Sequence, residues 1–338
     1  MTEVKLRDIA TRVGVSISTV SRVLNSQFDP RFASGTQKQI LETAREMGYF
    51  NQKLSTLQTT GKPTYAIACM FTSDHESIIS PFFSELHKGI TMEIKRLSFR
   101  YGITFSTINT MEAGFPALLE HTHFDGAVVL GRARHATIAM IRDHVPRLVY
   151  AGLNAIEGMD NVTSDIREGI EAIVGHLAAQ GYTKIGYIGP TPTQSDVENE
   201  YRYQGFVEAM HAHGLAVIPA FVHDSFLHAG DGYAAAMEML KASPFPEAII
   251  CGNDNLAIGV MKALNTRHLN IALAGYDNIP DSAYLTPSLT TVDVPKQDLG
   301  RYAVDVLLDA LESKRNYPIV LKLPFSLVIR ESTRKVQR

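Results

Sequence analysis

Residues 6–25 read LRDIATRVGVSISTVSRVLN. Leu6, Ile9, Ala10 and Val13 recur at spacings of three or four, which places them on one face of a short helix. Gly14 stands where a residue past a helix end takes the left-handed conformation, which glycine adopts without steric cost. Val15 packs into the turn, and Ser16 is placed to accept from the first free amides of a second helix. Along that helix Val20, Val23 and Leu24 form the buried stripe, leaving Ile17, Ser18, Ser21, Arg22 and Asn25 on the outer face. Two helices joined by a tight glycine turn, the second showing short polar side chains and one arginine, describe a helix-turn-helix. A generic amphipathic pair has no need of turn, cap and exposed face in this order.

A third helix completes the module. Ser34-Gly35-Thr36-Gln37 reads as a capping box, Ile40, Leu41, Ala44 and Met47 form its core stripe, and Gly48 ends it. The loop at 26–33 carries Asp29-Pro30 and two phenylalanines. Residues 1–60 hold eight Lys or Arg against five acids, a net +3, which leaves −6 on the remainder of a chain at −3 overall. A small basic module on an acidic body is the balance expected when one end of a protein touches phosphates.

From Tyr65 the pattern changes. Apolar runs (YAIACMF, FDGAVVL, RLVYAG, KIGYIG, AIICGN, IALAGYD) alternate with helical stretches. Near-continuous apolar strands separated by helices predict parallel sheets covered on both faces, and residues 65–330 are enough for two such lobes. Ligands of open α/β sheets collect at the carboxyl ends of the strands. Cys69 and Cys251 lie inside such runs and read as reduced core thiols. No apolar run approaches membrane-spanning length and no leader precedes the first helix, so a cytoplasmic location is expected.

His121-Thr122-His123 and His211-Ala212-His213 lack a second pair at zinc-site spacing, so no metal or other cofactor is expected. The stretch at 189–193, GPTPT, lacks the lysine of a phosphate loop, and no nucleophile elbow is present. An enzyme would then rest on an α/β fold alone, which implies no chemistry; the chain is expected not to be one.

Asp8-Ile9-Ala10, Gly14-Val15-Ser16 and 19–25, TVSRVLN, resemble the N-terminal signature of the lac repressor/galactose repressor family of bacterial transcription regulators. The resemblance implies an α/β protein: a three-helix DNA-binding headpiece at 1–49, a hinge at 50–62, and a two-lobed core at 63–338 like that of periplasmic sugar-binding proteins. The chain would cross between lobes near Ser164, Val294 and Leu323. Ile17, Ser18 and Arg22 would read base edges, while Ser16, Thr19, Ser21 and Asn25 would hold phosphates. The hinge in the family wedges a leucine into the minor groove, and Leu57 is the matching residue, although Asn51 and Leu54 depart from the usual pattern. In the cleft, Phe82, Arg202, Asn253 and Asp277 match ligand-facing positions, and Phe226 lies at or next to a position that often supplies an aromatic platform. Ala151, Val294 and Glu198 differ from what those positions commonly hold.

An aromatic ring covers the C–H face of a sugar while Arg, Asn and Asp satisfy its hydroxyls, so a sugar effector is coherent with these residue types. The short stretch at 101–131 resembles regulators of galactose and β-galactoside operons, which makes a galactose-type effector the first expectation. A purine or nucleoside, or a phosphorylated carrier protein acting as co-repressor, is the alternative. The expected partners are near-palindromic operator DNA and a second copy of the chain. The C-terminal residues 331–338 carry no leucine heptads, so a homodimer is expected rather than a tetramer.

Overall fold

Three helices open the chain: α1 (Leu6–Val13), α2 (Ile17–Asn25) and α3 (Ser34–Glu46). Ile9, Ala10, Val20, Val23, Ile40 and Ala44 bury their side chains together between them. Gly14 takes φ +75°, and the amides of Gly14 and Val15 both donate to the Ala10 carbonyl, at 2.9 and 3.0 Å. That closure frees the chain to turn, and Ser16 Oγ accepts from the Thr19 amide at 3.1 Å to start α2. The computed structural model describes residues 4–25, 34–47, 49, 62–73, 79–192, 201–241, 243–313 and 315–335. The loop at 26–33, Gly48, Asn51, Leu54, Leu57 and Glu198 lie outside the described residues, as do the side chains of Asn25, Ser34 and Leu41.

After the module the chain alternates strand and helix: β1 (Thr64–Phe71), α4 (Pro81–Leu97), β2 (Gly102–Asn109), α5 (Phe115–His121), β3 (Gly126–Leu130), α6 (His135–His144), β4 (Leu148–Gly152) and β5 (Asp160–Thr163). It continues with α7 (Ile166–Ala179), β6 (Ile185–Gly189), α8 (Arg202–Ala212), β7 (Val222–Asp224), α9 (Ala229–Met239), β8 (Ala248–Cys251), α10 (Asp254–Thr266) and β9 (Ala272–Ala274). The last elements are β10 (Thr291–Asp293), α11 (Lys296–Ser313), β11 (Val320–Lys322) and β12 (Ser326–Val328).

Among the described residues these strands form a six-stranded sheet ordered β11-β5-β4-β3-β1-β2 and a four-stranded sheet ordered β7-β6-β8-β9. All pairs within both sheets are parallel. Side chains alternate across each sheet. Ile67, Cys69 and Phe71 of β1 join Leu86 and Ile90 of α4 and Leu307 of α11, while Ala68 and Met70 join Phe115, Leu119, Ile138 and Ile141 from α5 and α6. The second sheet is covered in the same manner, with Tyr187 and Ile250 toward α7 and α8 and Ile249 and Cys251 toward α9 and α10. Burial on both faces is why the strands read as continuous apolar runs. Both cysteines are free and buried.

The chain passes between the sheets three times: over 164–165 after β5, over 294–295 into α11, and over 323–325 between β11 and β12. β10 and β12 pair antiparallel, Thr291 opposite Val328, beside the last two passages. No described helix is long and apolar enough to cross a membrane.

Candidate functional site

The outer face of α2 starts at its capped end. Ser16, Ile17, Ser18 and Arg22 are exposed, Thr19 and Ser21 half-buried. Ile17, with 47% of its surface exposed, is a large apolar side chain held in water rather than in the core. Ser16 Oγ lies 2.8 Å from Ser18 Oγ and 2.8 Å from Thr19 Oγ1, so the cap also orders the neighbouring hydroxyls. The outer face of α2 thus presents an isoleucine and serine hydroxyls from its first turn and an arginine from its last, on a three-helix frame. Short side chains at the start of a helix suit base edges in a major groove, and hydroxyls suit phosphate oxygens.

The second site is a cleft at the carboxyl ends of both sheets. One wall follows β1, β3 and β4 and includes Ser73, Phe82, Arg132 and Asn154. The other follows β6 to β9 and includes Arg202, His228, Asn253 and Asp277. Parallel strands whose loops all leave from one end give this convergence.

Phe82 lies in the first turn of α4, 7% exposed, edge-on to Phe83 with ring centroids 5.2 Å apart. Arg202 opens α8, is buried, and donates from Nε to the Gly252 carbonyl at 3.0 Å. Asn253 caps α10: its Oδ1 accepts from the Leu256 amide at 2.9 Å and its Nδ2 donates to the Leu227 carbonyl at 3.3 Å. It therefore ties two cleft loops together as well as lining the cleft.

Asp277 sits in a turn with φ +107°, and Asn278 after it has φ +48°. Consecutive left-handed residues without glycine carry a strain of the order of 1–3 kcal/mol each, and such strain gathers where a side chain must be aimed. Asp277 is buried, and its Oδ1 finds no hydrogen-bond partner among the described residues. Burial pushes its pKa up to about 8, helped by the nearby charge of Asp254, with Arg202 and Lys296 pulling the other way. Asp254 is itself fully buried and is raised to about 6 by burial. It nevertheless accepts from the Ile279 amide, Ser282 Oγ and Thr291 Oγ1 at 3.0, 2.6 and 2.7 Å.

The cleft thus brings together Phe82, Arg202, Asn253 and Asp277. Phe226 is 57% exposed and outside the lining, where Leu227 and His228 stand instead. Sequence reasoning missed Ser73, Arg132, Asn154, His228 and Asn255, all of which line the cleft. Their signal was position: Ser73, Arg132 and Asn154 follow the carboxyl ends of β1, β3 and β4 by two residues. Among the described residues no three His, Cys, Asp or Glu gather as a metal set. His123 lies 3.2 Å from Asp125, and His213 lies 3.4 Å from Glu171.

Comparison with known proteins bears on both sites. Residues 5–52 match the family described as bacterial regulatory proteins, lacI family, and residues 174–333 match the periplasmic binding protein-like domain. The chain is 28% identical to the HTH-type transcriptional repressor PurR of Pasteurella multocida (strain Pm70), over 97% of this chain and 98% of that one. It is 26% identical to the HTH-type transcriptional repressor MelR of Bacillus subtilis (strain 168), over 97% of each. Its fold is similar to that of the lac repressor dimer bound to operator and the anti-inducer ONPF, at TM-score 0.70 and 24% identity over 98% of this chain and 99% of that one. The regulator CelR in complex with cellobiose is equally similar, at TM-score 0.70 and 23% identity over 97% and 99%. A basic three-helix module that matches the family along its own sequence, ahead of two parallel-sheet lobes matched over residues 174–333, places this chain in the lacI family of bacterial regulatory proteins, as a DNA-binding transcriptional repressor.

Proposed function

We propose that the protein represses a sugar-utilisation operon and leaves its operator when a sugar, of galactose type, binds between the lobes. The observation that carries this reading is the cleft itself. Phe82 from one lobe faces Arg202 and Asp277 from the other, and a buried Asp277 oxygen lacks a partner among the described residues. A buried carboxyl oxygen without a partner is costly, and a sugar hydroxyl donating to it removes that cost. The ring of Phe82 offers an apolar face for the sugar's C–H side.

On this reading residues 1–49 are the DNA-binding module, 50–62 the hinge and 63–338 the effector core. Ile17, Ser18 and Arg22 read bases, Ser16, Thr19, Ser21 and Asn25 hold phosphates, and Leu57 wedges the minor groove. Two copies joined through their core lobes would present two modules to a near-palindrome. Light scattering should then give twice the 37.2 kDa of one chain. The family works as regulators without turnover, so no sugar should be converted, and a regulator acting on its operator is expected in the cytoplasm.

A second reading takes a purine in the same cleft. It is favoured by the 28% identity to PurR, and Phe82 would then stack on a base. A thermal-shift titration against galactose, lactose, cellobiose, guanine and hypoxanthine separates the two. A ligand present at a hundred times its Kd adds about 2.7 kcal/mol of stability. Stabilisation by a sugar that Asp277→Ala abolishes supports the sugar reading. Stabilisation by a purine alone would replace it with the second.

A further inference from the structure

We propose that Lys296 is a positioning residue that ties the effector-facing turn at Asp277 to the second passage between the lobes, so that the two move as one unit. This rests on the reading of the cleft as the effector site.

Lys296 is the first residue of α11, and its side chain is 11% exposed. Its ammonium donates to the carbonyl of Asp277 and, at 3.1 Å, to the carbonyl of Val294, and lies 3.6 Å from Asp293 Oδ1. The same Asp293 oxygen accepts from Asn278 Nδ2 at 3.0 Å. A buried ammonium is tolerated when its protons are used and its charge is met, and here two carbonyls accept from it while the Asp293 carboxylate supplies a nearby opposite charge.

The turn it grips cannot hold itself. Asp277 and Asn278 both take positive φ, so neighbours must fix them. The Asp277 amide donates to the Val292 carbonyl at 3.0 Å, and the Asn278 amide to Thr291 Oγ1 at 3.2 Å. Arg330 Nη2 donates to Asn278 Oδ1 at 2.7 Å. Those ties run to β10 and to the segment after β12. Lys296 adds a tie to a helix of the other lobe, because α11 lies on the six-stranded sheet and against α4. The contact with α4 is close: a Cβ on Gly300 would fall 2.1 Å from the Leu86 carbonyl oxygen. Displacement of the Asp277 turn therefore pulls on the first turn of α11, and α11 cannot slide on α4 without steric conflict.

A structural ion pair with Asp293 alone would produce no such linkage, and hydrogen exchange on the full chain separates the two. Lys296→Met keeps the stem and removes the donors; Lys296→Arg keeps a charged donor. Without added ligand, peptides over 276–280 and 294–299 should exchange about tenfold faster in Lys296→Met, the factor expected for one lost charged hydrogen bond. Lys296→Arg should stay near wild type, and a peptide over β6 should be unchanged in both. Unaltered exchange at 276–280, or acceleration spread evenly over the chain, overturns the proposal. Lys296→Gln serves the same comparison should the Met variant not fold.

Galactose as probe then distinguishes this claim from the sugar reading. In wild type it should protect both segments, and in Lys296→Met only 276–280. Protection of both segments in Lys296→Met overturns the linkage. Absence of protection in wild type removes the galactose reading, and the ligand-free comparison decides this one.

Discussion

At the scale of single residues, Asp277 has the most particular environment in the core. Its pKa is raised, so its contribution to stability is complete below the usual carboxylate range near 3.8 and is lost as pH rises through about 8. Asp277→Asn keeps the shape without the titration. The ligand-free variant should therefore melt above the wild type at pH 9, by a margin that shrinks as pH falls below 8 and vanishes only near pH 4. Equal pH slopes in the two proteins would mean that Asp277 is ionised at low cost. On α2, Arg22→Ala should flatten discrimination among operator variants by about 1–3 kcal/mol, the worth of a bidentate arginine–guanine pair. Competition binding at one salt concentration reads this, and unchanged ranking of the variants would count against base contact by Arg22. As cleft-lining residues, Asn253 and Asp277 were legible because each follows a strand end within three residues, and Phe82 and Arg202 because each sits in a short motif at the start of a helix. Arg132 and His228 were not, since no motif surrounds them. Whether Phe226 or Leu227 turns inward depends on the path of one loop, which side-chain type does not encode.

Among elements, the strands that sequence marks best are those buried on both faces. β1, β3, β4, β6 and β8 are apolar almost throughout, and all are interior to their sheets. β2, with sequence GITFSTIN, is half polar because it is an edge strand, and most of its residues are half-buried. β7, β10, β11 and β12 have three residues each, too few for any period to emerge. The packing of α4 on α11 was equally hidden, although it follows from two glycines. A Cβ at Gly89 would fall 2.0 Å from the Gln297 carbonyl oxygen, so the helices lie closer than any side chain permits. Gly89→Ala must force them apart, and overpacking of this kind costs about 1–3 kcal/mol. Urea denaturation should show that loss in the midpoint; an unchanged midpoint would mean that the helices separate freely.

At the scale of the whole molecule, the division of charge suits its parts, a basic module ahead of an acidic body. Long-range attraction to DNA is thereby confined to one end. The hydrophobic core is continuous from β1 and α4 through α7 to β6 and β8, so the lobes are joined by packing as well as by three chain passages. Closure of the cleft must then displace those passages, and the module is attached to the lobe that begins at β1. The central claim is that occupation of the cleft sets the affinity for DNA. By linkage a sugar that favours the DNA-free form must itself bind that form better, with a typical coupling of 1–3 kcal/mol. The direct measurement is fluorescence anisotropy on a duplex selected by the protein from random sequence. It is run at fixed salt with and without a sugar shown by calorimetry to bind, for wild type and for Asp277→Ala. The account expects the sugar to weaken wild-type binding roughly 5- to 150-fold and to leave Asp277→Ala on the DNA. Equal DNA affinity with and without bound sugar, or the same release from Asp277→Ala, would contradict it.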